Sequence, residues 1–211
     1  MKVGTDGVLL GAWARGGRTV LDVGTGTGVM ALMMAQRYAE ALVTAIDIDR
    51  GAVEQAQQNV RRSPFAGCVS VVEASVQALS GMEQHRGRYE AVVSNPPFFI
   101  DSLGAPDGQR HIARHADTLT YGELMEAAWQ LLTEDGELSV VVPFDYRRRM
   151  EDEATFRGFF PSRLCAVSTR QGKPARRYLL AFRKQPCVCQ RDMLTIGDDR
   201  YRELTRDFYL F

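Results

Sequence analysis

The chain has 211 residues, 45% of them hydrophobic, which is enough for one substantial core and too few for several. Its 26 basic and 26 acidic residues cancel, so any affinity for nucleic acid has to come from local clusters. No apolar stretch reaches a membrane span, no charged and apolar leader opens the chain, and Cys68, Cys165, Cys187 and Cys189 lack zinc-type spacing, so a cytoplasmic protein with reduced thiols and no metal is expected.

In chain order, Lys2 to Trp13 places a cap-like Thr5 or Asp6 before an apolar run. Thr19-Val20-Leu21 reads as a short strand, and Val29 to Ala35 as a buried helix. Between them lies Asp22-Val23-Gly24-Thr25-Gly26-Thr27-Gly28. Glycines there reach backbone angles closed to other residues and let a ligand lie against the main chain. Gly28 follows Gly26 by two residues, whereas the dinucleotide fingerprint spaces its third glycine by three, which weighs against a pyrophosphate ligand.

A second strand, Leu42 to Asp47, ends in a carboxylate about twenty residues past the glycines, the place of a ribose ligand. Asp49 suits an N-cap for the helix that follows, in which Ala52, Val53, Ala56 and Val60 recur at helical spacing. Ile48 is counted with the cofactor contacts. Val69 to Glu73 is a third strand and leads to Ser75. The apolar run Ala91-Val92-Val93 then enters Ser94-Asn95-Pro96-Pro97-Phe98-Phe99.

That tetrad has a chemical rationale. An exocyclic amine on a base is a poor nucleophile because its lone pair is delocalised into the ring. Asn95 can accept a hydrogen bond from such an amine through its side-chain oxygen, and the Pro96 carbonyl can accept a second. Pro97 stiffens the turn and donates no N–H. Phe98 offers a face on which a flipped base stacks, and Phe99 either does the same or fills the wall. Taken alone, Asn-Pro-Pro-Phe-Phe is a strand-ending turn with two core aromatics. The glycine turn and Asp47, at their places upstream, favour the chemistry.

Together, Val20-Leu21-Asp22-Val23-Gly24-Thr25-Gly26-Thr27-Gly28, Asp47 and Asn95-Pro96-Pro97-Phe98 resemble the S-adenosylmethionine-dependent methyltransferases that modify amino nitrogens. With the leading segment, Arg110-His111-Ile112-Ala113-Arg114-His115 and the closing Arg206 to Leu210, the chain resembles over nearly its whole length the bacterial tRNA(Val) adenine-N6 methyltransferase family. The resemblance implies S-adenosylmethionine as cofactor, tRNA as partner, and transfer to N6 of the adenosine 3′ of the anticodon. It implies cofactor contacts from Thr5, Asp6, Asp22, Gly24, Gly26, Gly28, Asp47, Ile48, Ser75 and Asn95. Members of that family carry extra residues ahead of this start. They also place an acidic residue where Ser75 stands, so a hydroxyl or backbone carbonyl has to take over the adenine contact.

Local positive charge supplies an RNA track: Arg110, Arg114 and His115 after the tetrad, and Lys173 and Arg176, with Arg170 and Arg177, between two late strands. Arg147-Arg148-Arg149, facing Glu151-Asp152-Glu153, reads instead as a solvated helix end. The long loop from Phe99 to Leu119 is expected to be the substrate lid.

The expected fold is α/β, a Rossmann-like doubly wound sheet of seven strands, mostly parallel with a C-terminal antiparallel hairpin. Strands fall near 19–24, 42–47, 69–73, 89–94 and 136–142, and helices near 28–38, 50–62, 75–81 and 121–132, the last with a capping box at Thr120 to Glu123. Past Tyr146 a helix leads into strands at Arg163 to Ser168 and Tyr178 to Phe182, joined by a turn at Gly172-Lys173-Pro174. One domain is expected over 1–211, with a lid segment at 1–17 and the hairpin and tail at 160–211, as a monomer. A protein glutamine-N5 methyltransferase, a ribosomal guanine-N2 methyltransferase and a noncatalytic RNA-binding partner subunit are the alternatives. The first lacks its usual helical substrate domain here, the second is separated only by the Arg110 to His115 segment, and an intact Asn95 argues against the third.

Overall fold

The structure is a computed structural model that describes residues 4–96 and 119–209. Its elements run α1 (Thr5–Trp13), β1 (Thr19–Val23), α2 (Val29–Arg37), β2 (Leu42–Asp47), α3 (Arg50–Arg61), β3 (Val69–Glu73), α4 (Val76–Gly81) and β4 (Tyr89–Ser94). The second half gives α5 (Tyr121–Leu131), β5 (Leu132–Pro143), α6 (Arg147–Arg157), β6 (Phe160–Ser168), β7 (Arg177–Arg183), β8 (Gln190–Thr195) and α7 (Asp199–Thr205).

The described strands form one sheet in the order β3-β2-β1-β4-β5-β7-β6-β8. Only β7 runs against its neighbours, pairing antiparallel with β5 and β6. The expected doubly wound order with its closing hairpin is therefore present. An eighth strand, β8, lies parallel to β6 beyond the seven. Its sequence, Gln-Arg-Asp-Met-Leu-Thr, buries only Leu194, so no apolar alternation announces it.

Apolar residues of both sheet faces explain the layering. One core joins Val76 and Leu79 of α4, Leu124 and Met125 of α5 and Met150 of α6 to Leu21, Val92 and Val140 of the sheet. The other joins Leu9 and Leu10 of α1, Met30 and Met34 of α2, Val60 of α3 and Tyr201 of α7 to Val20, Ala91 and Val141. Strand alternation sends neighbouring side chains to opposite faces, so β1, β4 and the second half of β5, covered on both sides, are almost wholly buried.

Two caps were anticipated correctly. Asp49 accepts the Ala52 N–H at 2.8 Å, and Thr120 with Glu123 closes a complete capping box. At the N-terminus the cap is Gly4, without a side-chain bond, and Thr5 and Asp6 occupy the first helical turn instead. Strand β5 starts at Leu132, directly after α5, with its register shifted along β4 before Glu137.

Glu137, 2% exposed, holds the far end of the sheet together. It accepts from Arg163 at 2.7 Å, Arg183 at 3.2 Å and the Ser162 hydroxyl at 3.0 Å. The Arg163 guanidinium in turn lies 4.0 Å from the centroid of Trp13, which fastens the end of α1 to the hairpin.

Candidate active site

The parallel register brings the candidate residues to one edge. Val23 lies opposite Ile46 on β2 and opposite Ser94 on β4. Gly24, Asp47 and Asn95 are each the next residue, so three strands deliver them side by side at their carboxyl ends. With neighbouring strands about 4.8 Å apart, residues some seventy positions apart in sequence share one small crevice where the strand order switches from β2 to β4 across β1.

The glycine turn has the backbone its composition anticipates: Gly24, Gly26 and Gly28 sit at φ 70°, 57° and 82°. A Cβ on Gly24 would point into open space, so its glycine is required by backbone angle, whereas one on Gly28 would meet the Ala56 side chain at 3.2 Å. The turn is pinned from several sides. Gly24 and Thr25 donate to the Ile46 carbonyl at 2.9 Å, and Asn59 of α3 donates to the Thr27 carbonyl at 2.9 Å.

Asp47 is more than a strand-end carboxylate. One oxygen accepts the Gly26 N–H at 2.9 Å and the other the Asp49 N–H at 3.0 Å. A carboxylate has about four lone-pair sites, so two backbone bonds leave capacity for a pair of ribose hydroxyls. Ile48 beside it is 55% exposed, an apolar surface in reach of a flat ring. Ser75 is already engaged by the helix that follows it. Its hydroxyl oxygen caps α4 by accepting from Ala78 at 3.1 Å, and its carbonyl accepts from Leu79 at 3.1 Å. One lone pair on each oxygen, the hydroxyl proton and the backbone N–H remain to it.

Asp22 is fully buried under the turn. One of its oxygens accepts from the Thr25 hydroxyl at 2.6 Å and from the Ala31 N–H at 3.1 Å, while the other has no partner among the described residues. Burial drives its carboxyl up to about 7; the bonds from Thr25 and Ala31 oppose this and the Asp47 charge adds to it. A buried carboxylate with an unshared oxygen fits a cationic ligand group, which an aminoacyl sulfonium supplies. Asp6 forms an ion pair with Arg177 at the start of β7, joining α1 to this same edge of the sheet; burial raises its carboxyl and Arg177 opposes the rise.

Asn95, directly after β4, has its side-chain oxygen buried and accepting no hydrogen bond among the described residues. Buried acceptors are nearly always satisfied, so this one is poised for a donor brought by a ligand. Next to it, the buried Ser94 hydroxyl donates to the Val23 carbonyl at 2.9 Å, coupling the tetrad to the root of the glycine turn. Pro96, next in the chain, is buried. Pro97, Phe98, Phe99, Arg110, Arg114 and His115 lie outside the described residues, as does most of the expected lid. Lys173 and Arg176 are exposed on the turn between β6 and β7, and Arg147 bonds Glu151 at 3.0 Å as a helix-end pair. Reading the residues in order missed Thr25, Asn59 and Ser94. The first and last were in view, inside the glycine turn and directly before Asn95.

Among the described residues no cluster of three or more His, Cys, Asp or Glu side chains has metal-binding geometry, and no helix is long and apolar enough to cross a membrane.

Comparison with known proteins agrees with this geometry. Residues 4–160 match the family model described as the methyltransferase small domain. A Bacteroides fragilis protein named tRNA1(Val) (adenine(37)-N6)-methyltransferase is 43% identical over 218 residues, covering 100% of this chain and 91% of its own. A Serratia proteamaculans protein of the same name is 40% identical, with 100% of this chain and 84% of the relative covered. Among solved structures, a predicted O-methyltransferase from Agrobacterium tumefaciens superposes with a TM-score of 0.73 at 18% identity, covering 98% of each chain. A geranyl diphosphate C-methyltransferase from Streptomyces coelicolor superposes with a TM-score of 0.59 at 11% identity, over 84% of this chain and 75% of that one. These two support the fold alone. The glycine turn, the carboxylate at the end of β2 and the open Asn95 acceptor thus lie in a chain that belongs to the methyltransferase small-domain family and, within it, to the family of bacterial tRNA1(Val) (adenine(37)-N6)-methyltransferases.

Proposed function

We propose that this chain transfers the methyl group of S-adenosylmethionine to N6 of an adenosine in a tRNA anticodon loop, the adenosine 3′ of the anticodon in tRNA(Val). The observation that carries the reading is the buried, unpartnered Asn95 oxygen one residue past the strand pairing that ends beside Gly24. The relatives' name supports the choice of nucleic acid and base.

When bound, the cofactor supplies a methyl group already activated by its sulfonium charge. The protein's own part is alignment and desolvation. Asp47 holds the glycine turn and presents its spare lone pairs to ribose. Asp22 offers its open oxygen to the ammonium end. Asn95, by accepting an N–H from the base amine, draws density back to the nitrogen and fixes its direction; Pro96 carries a carbonyl to share that task. Phe98 and Phe99 as stacking faces, Arg110, Arg114, His115, Lys173 and Arg176 as RNA contacts, and Thr5, Asp6 and Ser75 beside the cofactor complete the reading. As a tRNA-modifying enzyme it acts as a single domain and a monomer in the cytoplasm.

Asn95→Ala should retain S-adenosylmethionine binding by calorimetry and lose methyl transfer to bulk tRNA by at least about a hundredfold, since one misplaced contact at the reacting atom costs that much. Digestion of the product to nucleosides should give N6-methyladenosine. Unchanged turnover in the variant, or a methylated guanosine, would refute the assignment.

A further inference from the structure

Beyond the crevice, the same edge of the sheet carries an aromatic surface outside the residues assigned to the cofactor and the target base. Strand β5 overshoots β4: Val140 is the register partner of Ser94, so Val141, Val142 and Pro143 run on past Asn95 and deliver Phe144 roughly 10 Å beyond it at 3.3 Å per residue. Phe144 is 52% exposed, a large apolar ring left to solvent. It is nevertheless held in place. Its N–H donates to the Arg176 carbonyl at 3.0 Å, and its ring sits 6.0 Å from that of Tyr178, tilted by 36°. The Arg147 guanidinium lies 4.6 Å from the other ring's centroid, tied to Glu151, so Tyr178 is backed by a fixed cation. These residues line a groove of about 560 Å³, together with the exposed Asp145, Arg148 and Asp152.

The chemistry of this groove selects its occupant. A rigid, half-exposed aromatic ring beside a stacked guanidinium is a platform for a flat ring. The Asp145 and Asp152 carboxylates repel phosphate from the groove and can accept N–H bonds from a base edge. Around them, Arg148 is exposed and makes no ion pair among the described residues, and Arg176 and Lys173 are exposed on the adjoining turn, where phosphates on either side of a base would lie.

Building on the reading of the chain as a tRNA methyltransferase, we propose that Phe144 is a stacking platform for an unpaired nucleobase flanking the target adenosine, with Arg148 and Arg176 meeting the neighbouring phosphates. The groove would thereby contribute to holding the anticodon loop splayed while the target base enters the crevice.

The test uses a fluorescein-labelled anticodon stem-loop and the full chain, with affinity read by anisotropy as salt is varied. Phe144→Ala should weaken binding roughly 5- to 100-fold, the range of one lost base stack, with its melting temperature and S-adenosylmethionine affinity kept. Phe144→Trp should restore it. Arg148→Ala should weaken binding and lower the salt slope by about one phosphate contact. Wild-type affinity for the stem-loop in Phe144→Ala would overturn the proposal, even if methyl transfer to tRNA by the unaltered chain is intact. If the unaltered chain methylates no tRNA but its stem-loop affinity still depends on Phe144, the groove stands and the acceptor assignment falls.

Discussion

Asp22 should make stability depend on pH in an unusual direction. Its carboxyl is raised from 3.8 to about 7 in the folded protein, with burial as the main cause. Between those values the native state keeps a proton that the unfolded chain gives up. Stability of the cofactor-free protein therefore falls as pH rises through this window, opposite to the behaviour of a salt-bridged carboxylate. A rise of about 3 pH units corresponds to a ceiling of about 4 kcal/mol. Asp22→Asn keeps an acceptor for Thr25 and Ala31 and has no charge to bury. Its amide N–H₂ takes the unpartnered side, at a pH-independent cost of about 1–3 kcal/mol. Asp6, also raised, adds to the wild-type trend, and His85, lowered by burial, opposes it, but both are common to the two proteins. Urea unfolding of both at pH 5.5 and pH 8 should show wild type losing about 2 kcal/mol relative to the variant as pH rises, the part of that ceiling that falls between the two pH values. At pH 8 the variant should bind S-adenosylmethionine about tenfold more weakly, having lost a charge-assisted contact. Equal pH slopes in the two proteins would refute the argument.

Two further perturbations probe the frame around the site. Ser94→Ala removes the hydroxyl that ties β4 to the Val23 carbonyl. We expect kcat to drop roughly tenfold through misalignment of Asn95, with the cofactor Kd changed by less than about threefold; a loss confined to cofactor affinity would show that the bond serves the cradle instead. Glu137→Gln unbalances a buried carboxylate that bonds two arginines and Ser162. Leaving those charges uncompensated should cost about 3–5 kcal/mol, a fall of roughly 10 °C in Tm; a shift below about 2 °C would mean the network is bypassed.

Much of this protein can be read from local residue order, because the signals are local. The glycine turn requires positive φ at Gly24, Gly26 and Gly28, and only glycine adopts it without strain. Asp49 and Thr120 cap their helices through atoms three residues away. Asp47 and Asn95 are recognisable because each stands at the end of an apolar strand. The tertiary structure decided what these residues face. Parallel pairing set Gly24, Asp47 and Asn95 level, and that pairing carries no mark in any one segment. Burial left single oxygens of Asp22 and Asn95 open, and helix capping engaged the Ser75 hydroxyl. Strand β8, exposed over its first four residues, and the arginine cage around Glu137 were invisible for the same reason: both are stabilised by partners distant in sequence, and only closure of the sheet brings them together.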